Sequence, residues 1–286
     1  MVSITTGGKI YIIITNIFLF LVALIMILPL INVAAVSFTT DIESYENVIK
    51  LFPREPSIVG YKVLFERIAF FIPLTNNAIV AVVGTFFHVL FCCMAGYVLL
   101  SEKLPGKTLL FVLVLIPMMV PFQFIMIPFY VTMKKLGLID TLSSLIITDI
   151  VTTFSILLIR NYFQQVPRSL AEAARMDGAS DFTIFFRVYL PLAVPGLVTI
   201  SIFEFVLRWN QFLPAVLFIN SPEKYTLQIA LRSLIVSQEL AGTAQSNVAN
   251  NTRMAGIIVS IIPLIIIYLL FQKYFKKGIV LGAVKE

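Results

Sequence analysis

Ser169-Leu170-Ala171-Glu172-Ala173-Ala174-Arg175-Met176-Asp177-Gly178-Ala179, followed by Leu190-Pro191-Leu192, is a polar island in a hydrophobic chain. Ser169 and Glu172 have the S-x-x-E spacing of a capping box, in which a hydroxyl and a carboxylate satisfy free amides at a helix start. Gly178 supplies a stop, because glycine takes the left-handed conformation of a C-terminal cap without steric penalty. The helix between them makes about two and a half turns, and Ala173 and Ala174 give it a low profile that another protein can approach. Phe182, Phe185, Phe186 and Tyr189 follow at helical spacing, an apolar stripe for a helix bundle or a headgroup region. Pro191 reads as the first turn of the next apolar helix. On capping alone, an ordinary interfacial loop and a rigid lever for a docking partner are equally good readings.

The surroundings decide the class. The chain has 286 residues, 59% hydrophobic and 13% charged, with mean hydropathy +0.98. A soluble domain carries about 25% charged residues. Six apolar segments are long enough to cross about 30 Å of hydrocarbon as helices: 10–38, 75–101, 108–132, 141–163, 191–218 and 255–275. The expected fold is an all-α polytopic membrane protein, one transmembrane domain over 1–286, with the polar segment 164–190 between its fourth and fifth spans. The first run extends beyond a signal-peptide core and no clear cleavage site follows, so it reads as an uncleaved span. A net charge of +6 reflects orientation in a bilayer rather than nucleic-acid binding. Basic residues are nearly even between the two sides, but Lys273, Lys276 and Lys277 hug a membrane boundary, where they weigh most. Both termini, and with them the polar segment, are therefore expected in the cytoplasm.

Ionisable and strongly polar side chains inside spans are costly, which makes them candidates for a substrate path: Gln123, Asp149, Glu204, Arg208, Trp209 and Asn210, with the lone histidine His88. An indole face such as that of Trp209 packs on sugar C–H groups and the Asn210 amide bonds hydroxyls; interhelical packing is the competing account. Glu204 and Arg208 are four residues apart, so they either pair along one helix or leave Arg208, with Arg232, to meet a carboxylate on an acidic sugar. His88 reads as a packed, hydrogen-bonded residue, and the adjacent Cys92 and Cys93 as small buried hydrophobes. The third segment holds Pro117, Pro121 and Pro128 at spacings that place them on one helix face, where each kinks the helix. The outer loops, Asp41 to Leu74 and Asn220 to Asn251, are long enough to meet another protein.

With these residues in place, Glu172-Ala173-Ala174-Arg175-Met176-Asp177-Gly178-Ala179 and Leu190-Pro191-Leu192 resemble the EAA loop of binding-protein-dependent ABC importer permeases. Asn76-Asn77-Ala78, Lys135 to Thr141, Trp209 to Phe212 and the ending Gly278 to Lys285 are similar to the carbohydrate-uptake, MalG-like branch. The resemblance implies a type I ABC importer permease fold with six transmembrane helices and a cytoplasmic coupling helix. It assigns Ser169, Glu172, Ala173, Ala174, Asp177, Gly178, Ala179, Leu190 and Pro191 to coupling with an ATPase. It also implies partners: a MalF-like second permease subunit, two ATPase subunits holding ATP and Mg, and an extracytoplasmic sugar-binding protein, with a sugar as cargo. No cofactor is expected on this chain. Gly106-Lys107-Thr108 mimics the end of a P-loop, but Ser101 stands where its first glycine belongs and no strand precedes it. An intramembrane enzyme is disfavoured, since no H-E-x-x-H or G-x-S-x-G occurs. A stand-alone secondary transporter or channel would be expected to have internal repeats, and none is convincing.

Overall fold

The protein was analysed as a computed structural model, which describes residues 6–46, 48–67, 70–101, 104–233 and 248–283. All regular structure among them is helical. The polar stretch Ser237 to Asn251 lies largely outside the described residues, as does Lys285 of the C-terminal motif. The chain divides into two compact units, Met1–Phe70 with Leu231–Ile262, and Phe71–Ala230 with Pro263–Glu286.

In the first unit, the helix Thr6–Ser37 contains the candidate span Tyr11–Ser37, whose most apolar stretch finds no burial within this chain, although Ala35 and Val36 at its end are buried. A lipid-solvated helix has no need of an intramolecular core, so this is the composition of a membrane surface. After it, Thr40 caps the short helix Asp41–Ser44 by accepting from the Glu43 amide. The Glu43 carboxylate accepts from the backbone N–H groups of Arg54 (3.0 Å) and Glu55 (3.2 Å). Those amides, Arg54 first, together with Lys50 hold its carboxyl below the usual range. Asn251 Nδ2 donates to the Thr39 carbonyl (2.8 Å) and to Asp41 (3.0 Å), fastening the start of the final helix, Asn250–Ala283, to this loop.

In the second unit, the helix Phe71–Val98 is central, and Val194–Trp209, Thr153–Gln164 and Leu142–Ile147 pack around it. Glycines permit the close crossings. A Cβ on Gly96 would lie 2.7 Å from Ile159 Cγ2, and one on Gly196 2.5 Å from the Tyr162 ring. Small residues at such crossings let membrane helices approach closely.

Three expected spans are interrupted. The segment 108–132 is two helices, Lys107–Leu115 with a 3₁₀ turn Ile116–Met119, then Phe122–Lys135, meeting at 104°. Pro121 sits at the bend with ψ 141°, so the prolines break the helix here rather than kinking one continuous face. The segment 141–163 is two short helices, Leu142–Ile147 and Thr153–Gln164, because Thr141 and Thr152 each cap a new start by accepting from Ser144 N and Ser155 N. The segment 191–218 begins later than expected: Leu190–Leu192 closes the preceding stretch, the chain turns by 81°, and Val194–Trp209 follows. Leu213–Phe218 is a separate helix. By length and composition, three described helices can cross a membrane alone, or five if each bent pair counts as one span.

One turn ties the second unit together. Gly137 (φ 70°) ends Phe122–Lys135 with its N–H bonded to the Lys134 carbonyl and the Leu138 N–H to the Met133 carbonyl, a Schellman cap. Asp140 follows in the left-handed region (φ 60°), a conformation that Asp tolerates. Its Oδ1 accepts from the amides of Asn220 (3.0 Å) and Ser221 (2.9 Å), and its Oδ2 from Ser221 Oγ (2.6 Å) and Lys224 Nζ (2.9 Å). Asn76 Nδ2 reaches the same loop, donating to the Glu223 and Tyr225 carbonyls. Lys224 first, then the Ser221 groups, hold the Asp140 carboxyl far below its ordinary value. A depressed acid stabilises the fold above its unfolded pKa of about 3.9 and loses that contribution as pH falls toward the folded value. Asp140→Ala should therefore lower the thermal unfolding midpoint of the solubilised protein at pH 7, and the gap from the parent should narrow below about pH 4. An unchanged midpoint at pH 7 would show the turn to be held by other contacts.

Candidate functional site

The segment expected to couple folds as a helix, Arg168–Met176, whose start differs from the capping-box expectation. Pro167 occupies the N-cap position and no side chain caps the helix. Ser169 already lies within the first turn, so its hydroxyl is not placed to reach the third amide as an N-cap does. The stop is as expected. Gly178 has φ 82°, its N–H bonds the Arg175 carbonyl (3.0 Å), and the Ala179 N–H bonds the Ala174 carbonyl (2.9 Å). The Schellman pair closes the helix end.

The helix has two faces. Ala171 is buried, and Ala174 and Ala179 pack half-buried on a core with Phe163, Ile184, Phe185 and Tyr189. Ser169, Leu170, Glu172, Ala173, Met176 and Asp177 are exposed, Met176 at 89%. Beneath the helix, aromatic rings from three elements interlock. Tyr97 lies 5.2 Å from Phe185 and 5.1 Å from Tyr189, and Phe163 lies 5.6 Å edge-on from Tyr189. The stripe expected over Phe182–Tyr189 therefore splits: Phe185 and Tyr189 enter the core, while Phe182 and Phe186 stack outward. Ser180 caps this stretch, and its backbone winds as a π-helix over Phe185–Tyr189. Leu190 packs on the same core, and Pro191 occupies the first turn of Leu190–Leu192. A groove of about 1150 Å³ runs beside the coupling helix, with Lys107, Arg160, Arg168, Arg175, Glu172 and Asp181 among its walls. Lys107 donates to the Ser101 carbonyl (2.9 Å) at the end of a neighbouring span, which gives it a helix-terminal role in place of a phosphate-binding one.

The broken fourth segment is the second constellation. Where Leu142–Ile147 ends, Arg208 Nη1 donates to the carbonyls of Leu145 (3.1 Å) and Ile146 (3.0 Å). Arg208 Nε lies 2.6 Å from Glu204 Oε1 along one helix, and both side chains are almost wholly buried. His88 Nδ1 donates to the Asp149 carbonyl (2.9 Å), which leaves Nε2 to accept from Ser155 Oγ (2.8 Å), itself receiving a hydrogen bond from Thr152 Oγ1 (3.1 Å). Gly84 makes room: a Cβ there would lie 2.5 Å from Arg208 Nη1. Asp149 itself adopts φ 55°, and its side chain is exposed.

The candidate path residues are thus only partly brought together. Asp149, Glu204 and Arg208 line one small cavity. Trp209 is 2% exposed, stacks on Phe205 at 5.7 Å, and its carbonyl accepts from Asn77 and Gln228, so it belongs to packing in this conformation. Gln123 and Asn210 are exposed outside that cavity, and Asn210 Nδ2 bonds the Val206 carbonyl. Arg208 takes up the intrahelical pairing with Glu204 and two backbone carbonyls, the simpler of its two readings. Sequence reasoning gave no role to Gly84, Ser155 or Asp140; for Gly84 no local signal exists, since its partner is 124 positions away in the chain by number (84 against 208). Cys92 and Cys93 are buried free thiols, as expected.

The profile of the family "binding-protein-dependent transport system inner membrane component" matches residues 89–280. The chain is 34% identical to the polygalacturonan/rhamnogalacturonan transport system permease protein YtcP of Bacillus subtilis, over 94% of this chain and 96% of that protein. It is 31% identical to the arabinooligosaccharides transport system permease protein AraQ of Halalkalibacterium halodurans, over 92% of this chain and 93% of that one. A crystal structure of a bacterial ABC transporter involved in import of the acidic polysaccharide alginate contains a chain of the same fold, with TM-score 0.84 and 31% identity, covering 95% of this chain and 98% of that one. These likenesses displace both the intramembrane enzyme and the stand-alone transporter. This multi-pass inner-membrane chain therefore belongs to the binding-protein-dependent ABC permeases and is the permease of a sugar or oligosaccharide importer.

Proposed function

We propose that this chain forms half of a heterodimeric translocation pore. Its complement is a MalF-like permease subunit, two ATPase subunits that bind ATP and Mg, and an extracytoplasmic sugar-binding protein. In this reading the chain crosses a bacterial plasma membrane six times with both termini in the cytoplasm. Three long helices and two bent pairs account for five crossings; the interrupted pair Leu142–Ile147 and Thr153–Gln164 is the sixth. The cargo class is supported by relatives named for polygalacturonan/rhamnogalacturonan and arabinooligosaccharide transport and by a structural neighbour from a transporter involved in alginate import.

The observation that carries the reading is the two-faced coupling helix. Its inner face, Ala171 and Ala174, rests on the Tyr97–Phe163–Phe185–Tyr189 cluster. Its outer face offers Ser169, Glu172, Ala173, Met176 and Asp177 to a cytoplasmic subunit. A push on that face reaches the spans through packed rings rather than through a slack loop. Closure of an ATPase dimer would rock the spans as rigid bodies, the usual repertoire for alternating access.

The full complex reconstituted in liposomes should import oligosaccharide only with ATP and a loaded binding protein, and the loaded binding protein should stimulate hydrolysis. Uptake by this chain alone would overturn the assignment. Gly178→Val should uncouple the two activities. At φ 82° a β-branched residue strains the backbone by about 1–2 kcal/mol, while nothing within 4 Å of the new Cβ clashes. The variant should fold and bind sugar-loaded binding protein, yet lose most sugar-dependent stimulation of ATP hydrolysis. Stimulation at the parental level would remove the helix stop from the coupling mechanism.

A further inference from the structure

A cavity of about 250 Å³ opens beside the broken fourth segment, lined by Phe122, Thr148, Asp149, Thr152, Glu204, Leu207, Arg208, Gln211 and Pro214. Its polar groups divide sharply. Glu204 and Arg208 neutralise one another at 2.6 Å. Arg208 Nη1 and His88 Nδ1 are committed to the Leu145, Ile146 and Asp149 carbonyls. Thr148 Oγ1 donates to Ser144 O and Thr152 Oγ1 to Ser155. The Asp149 carboxylate is different: it makes no hydrogen bond or ion pair among the described residues. Its backbone is nevertheless pinned, by His88 at the carbonyl and by a left-handed φ of 55°. Two further buried atoms of lining residues, Arg208 Nη2 and Gln211 Oε1, also lack hydrogen-bond partners among the described residues.

Within a membrane-crossing segment, a carboxylate almost always faces the bundle interior or a water-filled cavity rather than lipid. Once the Glu204–Arg208 pair cancels, Asp149 is the one ionisable side chain of the lining left without a counterpart among the described residues. An acceptor carboxylate, an orphan amide oxygen and an orphan guanidinium donor together complement groups that both donate and accept, which are the hydroxyls of a sugar. A carboxylate on the cargo would meet a like charge, and Arg208 would have to abandon its pairs to compensate.

We infer that Asp149 is a cargo-contacting, specificity-determining residue: it accepts hydrogen bonds from sugar hydroxyls at the broken span and disfavours cargo carboxylates at that point of the path. The inference rests on the importer reading and deepens it. It assigns the hydroxyl-bearing edge of the sugar, whatever its acidic groups elsewhere, to this subunit.

The test uses the full reconstituted complex carrying Gln211→Cys, a position on the cavity wall. The probes are a cationic trimethylammonium and an anionic sulfonate methanethiosulfonate. With each rate taken relative to that of a small free thiol, whose anion itself favours the cation, the cationic reagent should react about ten times faster, and adding Asp149→Asn should bring the two relative rates together. A sugar-loaded binding protein with ATP should slow both reagents in the complex that retains Asp149. Equal rates before Asp149→Asn, a charge preference that survives it, or labelling indifferent to sugar would each overturn the inference. Sugar uptake is measured in parallel on liposomes with the unsubstituted complex: failure here with that uptake intact leaves the importer standing, whereas absence of ATP-driven uptake by the unsubstituted complex refutes the importer itself.

Discussion

A membrane helix that stops in mid-segment must find donors for the carbonyls it releases, because hydrocarbon supplies none. Here the released carbonyls are those of Leu145, Ile146 and Asp149, and the donors are Arg208 and His88. That one requirement explains much of the second unit. It calls for a guanidinium deep in the bundle, hence Glu204 four residues away to balance it. It calls for space where the guanidinium crosses the central helix, hence Gly84. It fixes the histidine ring, so that Nδ1 donates to a carbonyl and Nε2 accepts from Ser155. Removing one partner of such a buried set leaves a charge uncompensated, far costlier than losing an exposed ion pair.

The same physics appears at the opposite functional end in a different form. The coupling helix is too short and too polar to be stable alone. It persists because Gly178 closes its last turn and because Ala171 and Ala174 allow it to sit on interlocked aromatic rings. Larger side chains at those alanines would lift the helix from Phe163 and Phe185. The exposed Arg175–Asp181 contact at 3.1 Å adds little by comparison, since both groups are well solvated.

The sequence made the class, the approximate positions of the apolar segments and the stop at Gly178 readable, because each depends on local composition or on one residue's backbone preference. It misjudged the interior of those segments. A window of apolar residues is blind to Thr141 and Thr152, whose hydroxyls restart helices within the fourth segment. Prolines at regular spacing read as kinks on one face, yet Pro121 ends a helix outright because its extended ψ of 141° is incompatible with continuing it. Ser169 and Glu172 matched a capping pattern, but Pro167 set the start two positions earlier. For the candidate path, Asp149, Glu204 and Arg208 were identifiable as costly charges in apolar runs. Their arrangement was not, since it depends on pairings between residues far apart in the chain. Trp209 illustrates the limit: its chemistry suits sugar stacking, and only its neighbours show that it is packed against Phe205.

Coupling as proposed requires the helix Arg168–Met176 to meet the ATPase through its exposed face while its inner face stays fixed to the spans. Single cysteines at Met176 and Ala173, set against one at buried Ala171, would be cross-linked to the ATPase subunit with a short bifunctional thiol reagent in the assembled, sugar-loaded complex. The native Cys92 and Cys93 are buried and should stay silent. Cross-linking from 176 and 173 and none from 171 is the result predicted. Efficient cross-linking from 171, or none from either exposed position, would contradict the central claim.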